Sequence, residues 1–345
     1  MIKSLRVKTS DIPYMNKLTQ NILFFIFSTL AGGVLMWVIY RGFDFRSLAE
    51  VFVHRSNYVW ITLTLLAGLL ANVFRALRWR MLLQSSQIRI TVRRSVELIF
   101  IAYLVNAVTP RLGEVVRSFL IRRKNSTITM RALGTVVIEK LSDVVCLIIL
   151  VSIAVPICWQ SSKELLRSMT EGLSFTLPHF SVYILVGCLV CGLVGLTFPF
   201  RRYLYRLFGN LWQGISAIVH LRQPWLYVLL CVGIWFCNFL QLYFLLPCFE
   251  GMSQVSFVQM IYVFAVASVG VLLPTPAGAG PWHFAVVKTL TTLYAVSKPV
   301  AQSFAFITHG LKTLLVMILG ILGYASYYQA LWHWVRKRQR KEKQP

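Results

Sequence analysis

Pro274-Thr275-Pro276-Ala277-Gly278-Ala279-Gly280-Pro281 cuts an apolar run, residues 255–297, into two pieces. Proline withholds a backbone donor and clashes with the preceding turn. Glycine permits backbone conformations that a helix forbids. The octapeptide therefore predicts two short helical pieces around a knot rather than one continuous span. Thr109-Pro110-Arg111-Leu112-Gly113 breaks the run 93–122 in the same manner. Inside lipid such breaks are tolerated only where protein or water satisfies the freed backbone groups.

Composition places both breaks in a membrane. Of the 345 residues, 57% are hydrophobic and only 13% charged, with a mean hydropathy of +0.67. Soluble domains are about a quarter charged, so an ordinary soluble enzyme is excluded. Disorder is excluded as well, because 14% of the residues are aromatic. Six runs have the ~20 apolar residues of a spanning helix, at roughly 22–40, 57–77, 130–157, 180–199, 224–247 and 300–332. The first reads as an anchor rather than a signal peptide, since it lacks a small-x-small cleavage site.

The net charge of +24 orients the spans instead of pointing to nucleic acid, because no basic face belongs to a soluble module. Basic clusters stand at Lys3–Lys17, Arg75–Arg94, Arg117–Arg131, Arg201–Arg222 and Arg336–Lys343. Residues 1–21 and 333–345 read as cytoplasmic tails. Keeping every cluster on the cytoplasmic side requires both broken runs to be re-entrant, the first from the cytoplasm and the second from outside. The seven cysteines, including Cys188 and Cys191 inside a candidate span, read as small apolar packing residues with no zinc or redox role.

An internal repeat follows from this layout. One unit covers about 57–157 and the other about 224–332, in opposite orientations. Thr109 lies 52 residues after the start of the first unit, and Thr275 lies 51 after the start of the second. Inverted repeats with paired broken helices are a transporter signature, with the site between the breaks. The expected fold is an all-α polytopic membrane protein of about six spans and two re-entrant hairpins.

Charged groups inside such a fold are candidate functional residues. In Asn106-Ala-Val-Thr109-Pro-Arg111-Leu-Gly-Glu114-Val-Val-Arg117, Thr109 and Pro110 read as the cap and first residue of a half-helix. Its N-terminus would offer free N–H groups to an anion such as phosphate, and Arg111 a planar guanidinium. Glu114 and Arg117, three apart, are placed to pair with each other. Arg111, Glu114 and Arg117 serve equally well as a structural ion network. In the second hairpin, Gly280 and Pro281 start a half-helix, with Gly278 before them and His283 in its first turn, suited to a head group or a proton. Glu139 and Asp143 share a helix face; they read as proton carriers, or as partners of Lys140 or of a hairpin arginine. His309 and Lys312 share a face of the last span, where Lys312 reads as a counter-charge for a phosphate or as the neutralising partner of Glu139 or Asp143. Arg75, Arg78, Trp79 and Arg80 read as interface anchors, and 201–222 as a surface-lying linker.

At these residues the chain resembles the lysylphosphatidylglycerol synthase transmembrane region family, which includes YbhN-like proteins and the flippase domain of the multiple peptide resistance factor. The resemblance runs from about 20 to 332 and rests on Asn106–Arg117, Glu139-Lys140-x-x-Asp143 and Pro274–Gly280. Lys140 stands where many members have arginine. Trp282-His283 stands where many have glutamate. The resemblance implies movement of an anionic phospholipid or a polyprenyl phosphate between leaflets of a bacterial inner membrane. It implies no cofactor, and no aminoacyl transfer by this chain, since about a dozen residues follow the last span. The rival expectations are a transferase acting on a lipid-linked substrate and a non-transporting membrane partner.

Overall fold

The computed structural model describes residues 17–45, 47–109, 112–121, 126–170, 221–273 and 275–342. These form α-helices and two 3₁₀ turns, with no strand among the described residues. In chain order the helices are α1 (Lys17–Tyr40), α2 (Ser47–Val53), α3 (Asn57–Ser85), α4 (Val92–Val108), α5 (Leu112–Ile121), α6 (Ser126–Ile157), α7 (Trp159–Thr170), α8 (Pro224–Tyr243), α9 (Phe257–Gly270), α10 (Pro281–Leu293) and α11 (Lys298–Glu342). Three segments are long and apolar enough to cross a membrane: Asn57–Ser85, Pro224–Cys248 and Lys298–Gln329. A fourth is a bent pair, Thr127–Ile157 with Trp159–Thr170. The expected span 22–40 falls within α1, whereas 180–199, Cys188, Cys191 and nearly all of the 201–222 linker lie outside the described residues.

Both predicted breaks are present, and each helix pair folds back on itself. A straight helix would separate Ala102 from Gly113 by about 16 Å. Instead, a Cβ built on Gly113 would overlap the Ala102 carbonyl oxygen, so α4 and α5 lie backbone to backbone. The second pair closes through Gly270, whose Cβ would sit 2.9 Å from the Pro281 carbonyl oxygen. Its knot requires left-handed backbone at Ala277 (φ 51°), Gly278 (φ 76°) and Gly280 (φ 91°), the region glycine enters without a Cβ clash. Gly280 also presses on α1, where a Cβ would come 2.7 Å from the Gly32 carbonyl oxygen.

Local signals account for the helix starts. Thr91 accepts from the Arg94 N–H at 3.2 Å and opens α4. Ser256 and Gln259 cap α9 reciprocally, at 2.8 and 3.3 Å. Pro281 occupies the first position of α10.

Helices pack in a definite pattern. The longest seams join α3 to α8 and α4 to α11; α6 lies against α9, α5 against α6, and α10 against α11. One apolar core holds α1, α8, α9, α10 and α11, around Met260, Val263, Val286, Leu290 and Phe304. A second surrounds Trp79, Leu98 and Ile99 between α3 and α4.

Three expectations need correction. The run 130–157 is not a lone straight span: α6 turns by 98° into α7. Pro156 lies in its last turn, where it removes a backbone donor and weakens the continuation. The second span does not end at 77 but runs on to Ser85, which carries the arginines below it into the protein. The last helix continues past 332 to Glu342 as one 45-residue rod, about 68 Å long.

Candidate functional site

Four elements meet at a buried polar cluster beside the first break. From α3, Arg75 and Arg78 point to α6, where Glu139 and Asp143 stand one turn apart. Arg75 reaches Asp143 at 3.0 Å and Glu139 at 3.9 Å. Arg78 reaches Asp143 at 2.8 Å and Glu139 at 3.5 Å, and Nη1 approaches Cys231 Sγ of α8 at 3.3 Å. From α5, Arg117 binds Glu139 at 2.6 Å. The face of its guanidinium lies on the Trp79 ring, 4.3 Å from the centroid, an arrangement that favours a desolvated arginine. Trp79 is itself fixed by Nε1–H donation to Thr135 Oγ1 at 3.1 Å, one turn before Glu139. Arg78, Glu139 and Arg117 have 0%, 1% and 2% of their side chains exposed, so these charges persist only because they are paired.

A half-exposed second layer opens the cluster toward its surroundings. Lys140 binds Glu114 at 2.7 Å, with 49% of the lysine side chain exposed. Asn106 donates from Nδ2 to Glu114 at 3.1 Å and accepts the Gly113 N–H at 2.8 Å. A cavity of about 20 Å³, lined by Arg75, Tyr103, Asn106, Glu114, Arg117 and Lys140 among others, lies between the layers. It has room for about one water molecule. Asn106→Ala is expected to destabilise the protein by about 1–2 kcal/mol, the worth of its two hydrogen bonds and the groups left unpaired. Thermal unfolding in detergent measures this; an unchanged midpoint would contradict the bridging role.

Several expected pairings are redrawn. Glu114 and Arg117 do not pair with each other: they leave α5 toward different partners, Lys140 and Glu139. The Thr109 hydroxyl donates back to the Val105 carbonyl at 2.9 Å and closes α4. Asn106 Oδ1 accepts the Gly113 N–H at the start of α5, from a turn earlier. Arg78 and Trp79 are not interface anchors, both being fully buried. The sequence carried a signal for them: Arg75 and Arg78 are three apart, hence on one face, and two buried carboxylates required cations. Pro110 and Arg111 lie outside the described residues.

The second break assembles different chemistry. His283, 2% exposed, faces His309 of α11 with ring centroids 4.6 Å apart. Trp282 and Tyr40 flank the pair at 5.4 and 5.8 Å. His309 Nε2 bonds the Ala277 carbonyl at 3.1 Å. Lys312, one turn further on α11, has no carboxylate within salt-bridge reach among the described residues. The expected neutralisation of Glu139 or Asp143 by Lys312 is therefore replaced by Arg75, Arg78 and Arg117.

The Lysylphosphatidylglycerol synthase TM region profile matches residues 24–320. The chain belongs to that family. It is a multi-pass membrane protein, as the family and its apolar helices indicate. A similar relative is the UPF0104 membrane protein MJ1078 of Methanocaldococcus jannaschii, 27% identical over 191 residues, which cover 54% of this chain and 78% of the relative. No solved structure matches.

Proposed function

We propose that this family member moves an anionic lipid or a lipid-linked phosphate between the leaflets of its membrane, with the head group handled at the first broken hairpin. The observation that carries this is a surplus of buried donors. Four cations (Arg75, Arg78, Arg117 and Lys140) meet three carboxylates (Glu114, Glu139 and Asp143). Nε and Nη1 of Arg117 and Nε of Arg78 have no acceptor among the described residues. Guanidinium donors without acceptors suit a phosphate oxyanion.

In this reading both hairpins are re-entrant and the chain is an inverted repeat, α3–α6 against α8–α11. The packing supports it. Exchanging α3 with α8, α4 with α9, α5 with α10 and α6 with α11 turns the seam α4–α11 into α9–α6, α5–α6 into α10–α11, and α3–α11 into α8–α6, all of which are present. The expected orientation, both ends in the cytoplasm of a bacterial inner membrane, belongs to the same proposal. The cavity is smaller than a head group, so binding requires α5 to move from α6 and Lys140 to release Glu114. The chain then acts as a carrier rather than as an enzyme, and the hydrocarbon tails stay in lipid.

Liposomes containing the purified protein test this. Fluorescent phosphatidylglycerol present in both leaflets is quenched from outside. Wild type is expected to expose the inner-leaflet pool. Arg111→Ala and Lys140→Gln are expected to slow exposure by at least tenfold, the effect of losing roughly 1.4 kcal/mol of head-group stabilisation. Wild type indistinguishable from empty liposomes, with phosphatidylglycerol and with a polyprenyl phosphate, would overturn the proposal.

A further inference from the structure

We infer that the second hairpin contains a proton-binding site, the pair His283–His309, whose filling tightens the hairpin tip. The site is separate from the head-group cluster and has no assigned role. Arg117 stands eight residues after Thr109, and His283 eight after Thr275. Each projects from the second half-helix toward the span that follows. In the first hairpin the partner is Glu139, and the two form a buried ion pair. In the second the partner is His309, an imidazole, which exists with or without an added proton.

The geometry settles how a proton is held. His309 Nε2 faces the Ala277 carbonyl at 3.1 Å, and a carbonyl only accepts. Nε2 therefore carries hydrogen, and Nδ1 is the acceptor facing the Thr313 hydroxyl at 3.4 Å. An added proton enters at Nδ1, and the Thr313 hydroxyl turns to accept it. The Nε2–H···O=C bond then becomes charge-assisted and stronger. Ala277 is the left-handed residue of the knot, φ 51°, so this bond holds its least relaxed backbone. His283 Nδ1 is buried without a partner among the described residues, and two imidazolium rings 4.6 Å apart would repel. The pair takes one proton, not two.

On the elements packed against α10, the ionisable groups are Lys17 and Tyr40 on α1, Tyr262 on α9, and Lys163, Glu164 and Arg167 on α7, with Lys288 on α10 itself. On those packed against α11 they are Glu50 of α2, Tyr58, Arg75, Arg78 and Arg80 of α3 and Tyr103 of α4, with Lys312 one turn beyond His309 on α11 itself. Arg93, Arg94 and Glu97 of α4 meet α11 only near Ser326 and Tyr327, about 25 Å along the helix. Tyr40 and His309 contact the His283 ring directly, and no carboxylate pairs with either histidine among the described residues.

Trp282 lies against both rings, 5.3 and 5.4 Å away, and is a built-in reporter. Full-length protein labelled with 5-fluorotryptophan, in lipid nanodiscs, is titrated by fluorine NMR, with the Trp282 signal assigned through Trp282→Phe. The expected result is a single one-proton step in wild type and none in the double variant His283→Gln with His309→Gln. No step, two steps, or a step that survives in the double variant would overturn the site. A second measurement needs no variant: hydrogen exchange of residues 271–285, corrected for the chemical rate, is expected to slow about fivefold as the proton binds, the ratio for ~1 kcal/mol. Equal or faster exchange would overturn the tightening. Neither readout uses lipid movement, so each stands or falls apart from the liposome result.

Discussion

Glu139→Ala will destabilise the protein by about 3–5 kcal/mol, the cost of removing one partner from a buried ion pair. Glu139 is 1% exposed and is shared by Arg117 at 2.6 Å, Arg78 at 3.5 Å and Arg75 at 3.9 Å. Asp143 still serves Arg75 and Arg78 after the substitution. Arg117 has no second carboxylate, so its charge is stranded against Trp79. A compensating variant separates charge from shape. Glu139→Gln combined with Arg117→Met removes both charges at similar volume, and it is expected to recover most of the loss, because apolar replacements of buried pairs are often neutral. Unfolding in a mild detergent, followed by size-exclusion chromatography, ranks the three proteins: wild type, then the double variant, then Glu139→Ala. A Glu139→Ala protein within about 0.5 kcal/mol of wild type, the range of ordinary surface changes, would show that the cluster does not support the fold.

Gly113→Ala is the second large effect. The new methyl would overlap the Ala102 carbonyl oxygen and come 2.7 Å from its carbon and 2.8 Å from Asn106 Oδ1. The obstacle is backbone rather than the end of a flexible side chain, so α4 and α5 must separate. Overpacking costs about 1–3 kcal/mol, occasionally more, and here separation also pulls Arg117 from Glu139. Gly134→Ala is the control: it is also helical, and nothing lies within 4 Å of its added Cβ. It should be neutral or stabilising by up to ~1 kcal/mol through helix propensity. Gly113→Ala is expected to abolish lipid exposure and lower the unfolding midpoint, while Gly134→Ala keeps both. Equal behaviour of the two variants would refute the close seam.

The sequence disclosed the breaks because proline and glycine act locally. It disclosed the long apolar helices, α3, α8 and the membrane part of α11, because hydrophobic run length needs no partner to be read. It failed where partners decide. Arg78 looked like an interface residue until Asp143 and Glu139 stood opposite it, across 61 or more residues of chain. Asn106 gave no sign of accepting the Gly113 N–H until the first hairpin folded back on itself. α7 went unread because its polar face, with Ser161, Ser162, Lys163 and Glu164, resembles a loop until a bend at Cys158 brings it against α10. In the candidate site, Glu114, Arg117, Glu139, Lys140 and Asp143 were named from spacing alone. Which cation meets which carboxylate is a property of four helices at once.

Helix α11 bears on both hairpins. His309 meets the tip of the second. Gly320 and Gly323 lie against Phe100, Leu104 and Glu97 of the first. About 17 Å of unbroken helix joins His309 to Gly320. A rod of that stiffness is a mechanical strut between the two breaks: a shift of the helix axis at one hairpin is carried to the other without any chain of intervening side chains.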